Sequence, residues 1–314
     1  RRGIEGLLKR HKVNLIRGHG RIEKYGELSI LGKGGKEILF PWDKLIIATG
    51  SRPADIPAFP LDGKHIISSD DALSLSELPD SLIIVGGGVI GCEFASIFSA
   101  YGVQVTIVEA LGRLLPLPSV DEDCSRTLQR EMKKRKVQFY TGQMVESVVR
   151  TPEGLAAQLA PSPFVKNSSQ KGKLLSLMAD KLLVCIGRIP NTDNLGLEAL
   201  GVGTDRNGWI RVDNRMATNI ENIYAIGDVL GPEKVMLAHV ASVEGIVAAE
   251  NCIGGNREMG YNAVPGAIFT TPEVADVGLT EEQAHDRGKA VRADTVLFRT
   301  NSKAHVSGEI SGQA

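Results

Sequence analysis

The chain has 314 residues, enough for about two domains and a sizeable core. Its 36 basic and 37 acidic residues leave a net charge of −1, so no cationic excess is available to drive binding to nucleic acid or a membrane surface. No apolar run approaches ~18 residues, which excludes a transmembrane helix read from hydropathy, and 35 glycines point to many tight backbone turns.

Residues 4–12 read as the end of an amphipathic helix, and Val13–Gly18 as a short strand. Residues 20–40 alternate around Ile22, Leu28, Ile30, Ile38 and Phe40, with a turn at Gly32–Gly35, which predicts an antiparallel hairpin. Lys44–Ala48 reads as a buried strand running into Thr49-Gly50-Ser51. Pro53, Pro57 and Pro60 then mark a loop and linker.

Leu82–Val85 reads as a second buried strand, followed by a helix over Val89–Tyr101 and a strand over Val103–Glu109. A charged helix is expected over Asp121–Arg135 and a strand over Val137–Tyr140. Residues 144–180 alternate around a polar stretch, Ser162–Lys173, read as a hairpin loop. Lys181–Ile186 and Ile223–Ile226 read as buried strands, and 239–252 as a helix. Strands alternating with helices predict an α/β fold with a parallel sheet. From Val264 the pattern changes to short strands at 267–269, 273–278 and 293–298, the expected start of another domain.

Chemistry concentrates at Gly86-Gly-Gly88-Val-Ile-Gly91, a G-x-G-x-x-G directly after an apolar strand and at a helix start. Gly86 permits the tight turn, Gly88 lets a diphosphate approach the backbone, and Gly91 lets the helix lie close to the sheet. The helix start offers free N–H groups and partial positive charge. Glu109 ends the next strand about 20 residues on, where an acid accepts from ribose hydroxyls. Its charge would repel a 2′-phosphate, which favours NAD over NADP. The competing reading is a glycine-rich turn that holds no ligand.

Other strands also end in small residues: Ala48-Thr49-Gly50, Ile186-Gly187-Arg188 and Ile226-Gly227-Asp228. Ligands gather at such strand ends in open parallel sheets. Asp228 is placed to accept from a ribityl or ribose hydroxyl, or serves as a plain turn residue. Cys92, Cys124, Cys185 and Cys252 lie far apart with no CxxC or CxxxxC spacing, so neither a disulfide scaffold nor a zinc ribbon is expected. No metal-ligand set is assigned. The spacing suits a reducing, cytoplasmic compartment.

Four motifs occur in order: Asp43–Pro53 (DKLIIATGSRP), Gly86–Phe94 (GGGVIGCEF), Val105–Glu109 (VTIVE) and Thr218–Asp228 (TNIENIYAIGD). Together with Cys185–Thr192, Leu237–Ala241 and Phe269–Val274, they resemble the pyridine-nucleotide disulfide oxidoreductases, and within them the dihydrolipoamide dehydrogenase branch. The resemblance covers essentially the whole chain.

It implies tandem Rossmann-like FAD and NAD domains, the NAD domain inserted into the FAD domain, and the start of an α+β interface (dimerisation) domain. The expected bounds are 1–76 and 195–262 for FAD, 77–194 for NAD and 263–314 for the interface. The resemblance places Thr49, Gly50, Gly227 and Asp228 along FAD. It places Leu237, Ala238 and His239 near the flavin ring. Gly86, Gly88, Val89, Ile90, Gly91 and Glu109 would hold NAD, with Gly187 at its nicotinamide end. Glu93 would stand near the nicotinamide–flavin contact; taken alone it reads as a solvated helix residue. Cys92 reads as a packed helix residue.

The activity implied is electron transfer from the dithiol of dihydrolipoamide through a redox disulfide and FAD to NAD. Implied partners are small-molecule nucleotides, a lipoyl domain of a 2-oxo-acid dehydrogenase complex and a second copy of the protein. Alternatives are another flavin disulfide reductase such as mercuric reductase, an NADH oxidase, or a non-catalytic nucleotide-binding module. The family's CxxxxC, its N-terminal FAD-binding GxGxxG and its C-terminal His–Glu pair do not occur among the 314 residues. The first residue is Arg1, and Ser307–Ala314 looks like an opened turn. The chain is therefore expected to be an internal segment, inactive alone and holding FAD weakly or not at all.

Overall fold

The structure is a computed structural model that describes residues 2–165 and 175–314. These fall into two compact units, one formed by residues 1–52 and 189–261, the other by 53–188 and 262–314. The first unit begins with helix α1 (Arg2–Arg10), as the amphipathic spacing predicts. The run Val13–Gly18 forms no strand. Val13, Leu15 and Ile16 are exposed, because apolar content without a partner edge does not hold an extended segment in a sheet.

Strands β1 (His19–Lys24), β2 (Glu27–Leu31) and β3 (Glu37–Pro41) form an antiparallel sheet. The expected hairpin therefore gains a strand. Lys24 pairs with Glu27, so Tyr25-Gly26 makes a second tight turn before the one at Gly32–Gly35. Strand β4 (Leu45–Ile47) is shorter than expected and not buried throughout. Ile47 is covered, while Ile46 is exposed. A short β5 (Ser51–Pro53) follows.

The second unit opens with β6 (Ile66–Ser68) and helix α2 (Ser69–Ala72), neither of them expected. Ser68 and Asp71 form a capping box that starts the helix. Then come β7 (Ser81–Val85), α3 (Val89–Ala100), β8 (Gln104–Glu109), α4 (Glu122–Lys134) and β9 (Gln138–Thr141), close to their sequence-based bounds. Strands β10 (Gln143–Thr151), β11 (Gly154–Pro161) and β12 (Leu175–Ala179) form an antiparallel layer. Of the polar stretch expected as a hairpin loop, residues 166–173 lie outside the described residues. Strand β13 (Lys181–Val184) ends two residues early and completes a five-stranded parallel sheet in the order β6-β13-β7-β8-β9. Because β6 pairs inside this sheet, residues 53–76 pack with this unit and not with the segment 1–52, as the expected bound at 76 had it.

Period-two alternation decides what covers the parallel sheet. On β7, Leu82 and Ile84 face a core with Ala95 and Phe98 of α3 and Leu128 and Met132 of α4. Ile83 and Val85 face Leu155, Ala157 and Leu159 of β11. All four β7 side chains are nearly inaccessible, which contributes roughly 1.5–3 kcal/mol each.

The chain returns to the first unit through β14 (Arg188–Pro190) and helix α5 (Leu197–Leu200). Strand β15 (Ile223–Ala225) pairs in parallel with β4, and α6 (Ala238–Cys252) buries Val240, Val247 and Ala248. In the second unit, β16 (Pro265–Ile268) and β17 (Val274–Val277) form an antiparallel ribbon. Ile268 and Val274 join the core beneath α3, so residues 262–314 pack onto this unit. Helices α7 (Glu281–Asp286) and α8 (Ser302–Ser307) complete the described elements. The strand expected at 293–298 is absent. One bridge, Leu297 to Gln313, and a 3-10 turn at Phe298–Thr300 stand there, since no neighbouring strand takes up the ladder.

Candidate dinucleotide-binding sites

The three motif glycines do different things. Gly86 has φ +107°, and a Cβ there would meet the Cys185 carbonyl oxygen at 2.8 Å. A Cβ at Gly91 would overlap the Gly86 carbonyl oxygen. Both are required by the packing of α3 against β7 and β13. Gly88 is different: a Cβ there meets nothing within 4 Å. The fold leaves open the space in front of Gly88.

Gly88 is also the N-cap of α3 and supplies no side-chain cap to the helix. The first-turn N–H groups, at Val89 and Ile90, thus start a helix whose partial positive charge faces that open space. No acidic side chain sits in this first turn.

Glu109 closes the other side. It is 6% exposed, its Oε2 accepts the Gly87 N–H at 2.6 Å, and its Oε1 accepts the Leu111 N–H at 2.7 Å. The carboxylate is therefore aimed at the glycine loop by two backbone donors. Gly187 follows β13, whose Val184 is in register with Val85 of β7, so it lies at the same carboxyl edge. Its carbonyl accepts the Ala54 N–H at 3.3 Å.

Glu93 is neither free nor simply solvated. Its Oε1 accepts the Phe269 N–H at 2.9 Å, and Ser96 Oγ accepts the Thr271 N–H at 3.3 Å. Helix α3 thus clips the segment after β16. Cys92 is buried in the same helix and donates its S–H to the Gly87 carbonyl at 3.2 Å. Burial, with Glu109 and Glu93 nearby, pushes its thiol up to about 12. Burial pushes Cys185 up to about 12 as well. These are packing thiols, not nucleophiles.

The second group of expected residues comes together in the other unit, where β4 and β15 end side by side, Ile47 opposite Ala225. Asn191 braces the first strand end: its side-chain amide donates to the Thr49 carbonyl at 2.9 Å and its N–H to the Gly50 carbonyl at 3.0 Å. Ser51 Oγ donates to Asp228 Oδ2 at 2.9 Å, so the two strand ends are joined. Leu237 is the N-cap of α6, again without a side-chain cap, and Ala238 and His239 are the exposed first residues of that helix.

The expected residues therefore fall into two groups. Gly86, Gly88, Val89, Ile90, Gly91, Glu93, Glu109 and Gly187 lie in one unit; Thr49, Gly50, Gly227, Asp228, Leu237, Ala238 and His239 lie in the other. Sequence reasoning missed Ser51 and Asn191 as parts of the second group, and Glu244, which receives the Gly227 N–H. Asn191 carried a signal, a polar residue directly after a strand end and a proline. Glu244 carried little signal, since the same helix also holds Glu250 and only the fold shows which of the two acids is buried.

Comparison with known proteins places the chain. The profile described as pyridine nucleotide-disulphide oxidoreductase matches residues 1–245, and that family's dimerisation domain matches 264–314. A mitochondrial dihydrolipoyl dehydrogenase of Arabidopsis thaliana is 38% identical over 312 residues, covering 99% of this chain and 59% of the relative. A dihydrolipoyl dehydrogenase of Bacillus subtilis is 39% identical, covering 99% and 64%, and one of Pseudomonas putida 37%, covering 100% and 65%. The chain thus spans less than two thirds of these relatives' own length. Among solved structures, LpdA of Mycobacterium tuberculosis matches with a TM-score of 0.87 at 29% identity, covering 99% of this chain and 66% of that one. The flavoprotein disulfide reductase RclA of Escherichia coli matches at 0.84 and 27%, covering 99% and 68%. The chain belongs to the pyridine nucleotide-disulphide oxidoreductase family.

Proposed function

We propose that this protein is an NAD-linked flavoprotein disulfide reductase of the dihydrolipoyl dehydrogenase type. The observation that carries the reading is the open face of Gly88 beside the braced carboxylate of Glu109. Such a pair fits a dinucleotide: room and N–H groups for the diphosphate, an acceptor for the ribose hydroxyls. The negative charge at Glu109 disfavours a 2′-phosphate, so NAD is the expected nucleotide.

In this reading Val89 and Ile90 hold the diphosphate with their N–H groups, and Gly187 leaves room at the nicotinamide end. Glu93 has one oxygen committed to Phe269, which leaves the other for a role beside the nicotinamide. Thr49, Gly50, Gly227 and Asp228 line the FAD site, and Asp228 accepts from sugar-alcohol hydroxyls. Leu237, Ala238 and His239 turn the uncapped start of α6 toward the flavin ring. FAD, when bound, supplies the two-electron relay between a dithiol and the nicotinamide. In the net reaction dihydrolipoamide loses two electrons and two protons as its disulfide closes, NAD gains a hydride, and one proton goes to solvent.

Further parts of the reading rest on the resemblance and on the relatives. The lipoyl domain of a 2-oxo-acid dehydrogenase complex is the proposed partner, with dihydrolipoamide its reactive group. Residues 264–314 are proposed to contribute to a homodimer. The four free thiols fit a reducing compartment such as the cytoplasm.

Calorimetric titration with NADH and NADPH tests the central claim. NADH is expected to bind, and NADPH at least about tenfold more weakly, ~1.4 kcal/mol. Equal affinities would overturn the assignment of Glu109, and no binding of either would overturn the dinucleotide site. Dihydrolipoamide-dependent NAD reduction is expected of the flavin-loaded holoprotein and not of residues 1–314 alone, which contain no CxxxxC.

A further inference from the structure

Among the described residues Glu244 is the least exposed charged side chain, at 1%. It lies within α6, among Val240, Val247 and Ala248, where a leucine would fill the same space. A buried carboxyl is costly unless donors surround it. Here two donors do. Oε2 accepts the Gly227 N–H at 2.7 Å, and Oε1 accepts the Tyr261 O–H at 2.7 Å. The Lys234 ammonium lies over the Tyr261 ring, 4.9 Å from its centre. Burial and the bond to Glu244 both raise the tyrosine's pKa, so the phenol stays a donor.

The position of Gly227 explains what this arrangement holds. The ladder between β15 and β4 ends with the Ile226 N–H on the Ile47 carbonyl at 3.0 Å. The next N–H, at Gly227, has passed the end of the strand, and the chain turns there with φ +72°. Glu244 takes that N–H. One residue later comes Asp228, whose carboxylate receives the Ser51 hydroxyl at 2.9 Å. The turn is thus gripped from beneath by α6 and from the side by Ser51.

We propose that Glu244 is a positioning residue for the flavin cofactor: with Tyr261 it fixes the Gly227–Asp228 turn, and so the direction in which Asp228 offers its carboxylate to the sugar-alcohol hydroxyls of FAD. The inference rests on the flavoprotein reading above. It makes the hydrogen bonds, not the charge, the property that counts.

Three variants of the flavin-loaded holoprotein separate these ideas. E244L keeps the volume and loses both bonds. E244Q recovers both, its oxygen taking the Gly227 N–H and its amide donating to the Tyr261 oxygen, since a phenol both donates and accepts. Y261F removes one of the two bonds to Glu244, together with the weak contact of the phenol with Met216 Sδ. FAD dissociation constants are read from flavin fluorescence, NADH affinity from calorimetry, and Gly227 amide exchange from NMR. E244L is expected to weaken FAD at least tenfold and to speed Gly227 exchange, E244Q to stay within threefold of the parent, and Y261F to fall between. NADH affinity should hold within twofold in all three, because the glycine cradle for it lies in the other unit.

A folded E244L that binds FAD like the parent would overturn the proposal, as would E244Q as weak as E244L, or FAD and NADH weakening together. If E244L does not fold, the ranking of Y261F below E244Q still decides. A parent protein that takes up no FAD would overturn the flavoprotein reading itself, and this inference with it.

Discussion

The carboxylate of Glu109 accepts the N–H of Gly87 at 2.6 Å, across the gap between the ends of two neighbouring parallel strands. The acid proposed to hold a ribose is thus also a brace for the glycine loop proposed to hold the diphosphate. Its second oxygen takes the Leu111 N–H. Glu109→Ala would leave the buried Gly87 N–H and the part-buried Leu111 N–H without acceptors. The expected loss is about 2–4 kcal/mol in urea unfolding, together with NADH affinity at least about tenfold weaker. Unchanged stability with lost NADH affinity would mean that the brace contributes nothing.

Gly88 and Gly91 make a matched pair. Gly91→Ala puts a methyl onto the Gly86 carbonyl oxygen, which rigid backbone cannot avoid. It should cost about 3 kcal/mol or more. Gly88→Ala meets open space and should cost less than about 1 kcal/mol, the difference between N-cap residues. Yet Gly88→Ala should weaken dinucleotide binding, because the methyl occupies the ligand's side. Thermal unfolding with NADH calorimetry on both variants checks this. Equal stability losses would contradict the division of roles.

Cys92 and Cys185, with thiols pushed up to about 12, should stay protonated and resist iodoacetamide at pH 8 in the folded protein. Both should label after unfolding in guanidinium. Mass spectrometry of the labelled peptides reads the outcome. Rapid native labelling of Cys92 would mean that α3 opens far more often than its packing implies.

Asp62 supplies a pH signature in the loop before β6. Burial raises its carboxyl, but the N–H groups of Lys64, His65 and Ile66 and the Arg150 guanidinium outweigh this and hold it well below the usual carboxylate range. A depressed native pKa contributes stability that is complete above the unfolded value, near ~3.9, and is lost as pH falls through the native one. Asp62→Asn should therefore be less stable than the parent at pH 7, with the gap narrowing below about pH 4. Urea midpoints at pH 7, 5 and 3 measure it. A gap that stays constant would argue against the loop as described.

Legibility followed the range of the interactions. The β7–α3–β8 unit was readable because its cues are local: an unbroken apolar strand, glycines at fixed spacing and an acid one strand on. Strand β6 was not readable. Three residues, Ile66–Ser68, carry no period, and only their parallel partners in β13 make them a strand. The opposite error came at Val13–Gly18 and 293–298, where apolar residues promised strands and no ladder formed. In the site, Asp228 could be read from its place after a strand. Glu244 could not, because its partners, Gly227 and Tyr261, are 17 positions away on either side.

Ser51 and Asp228 stand 177 positions apart in the chain, and the unit they join is built from two separate stretches. During synthesis at 5–20 residues per second, β4 must wait on the order of 10–35 s for its partner to emerge. All strands of the five-stranded sheet leave the ribosome within that interval. The interrupting unit can thus complete its sheet while the interrupted one still carries a bare strand edge, the state most open to mispairing.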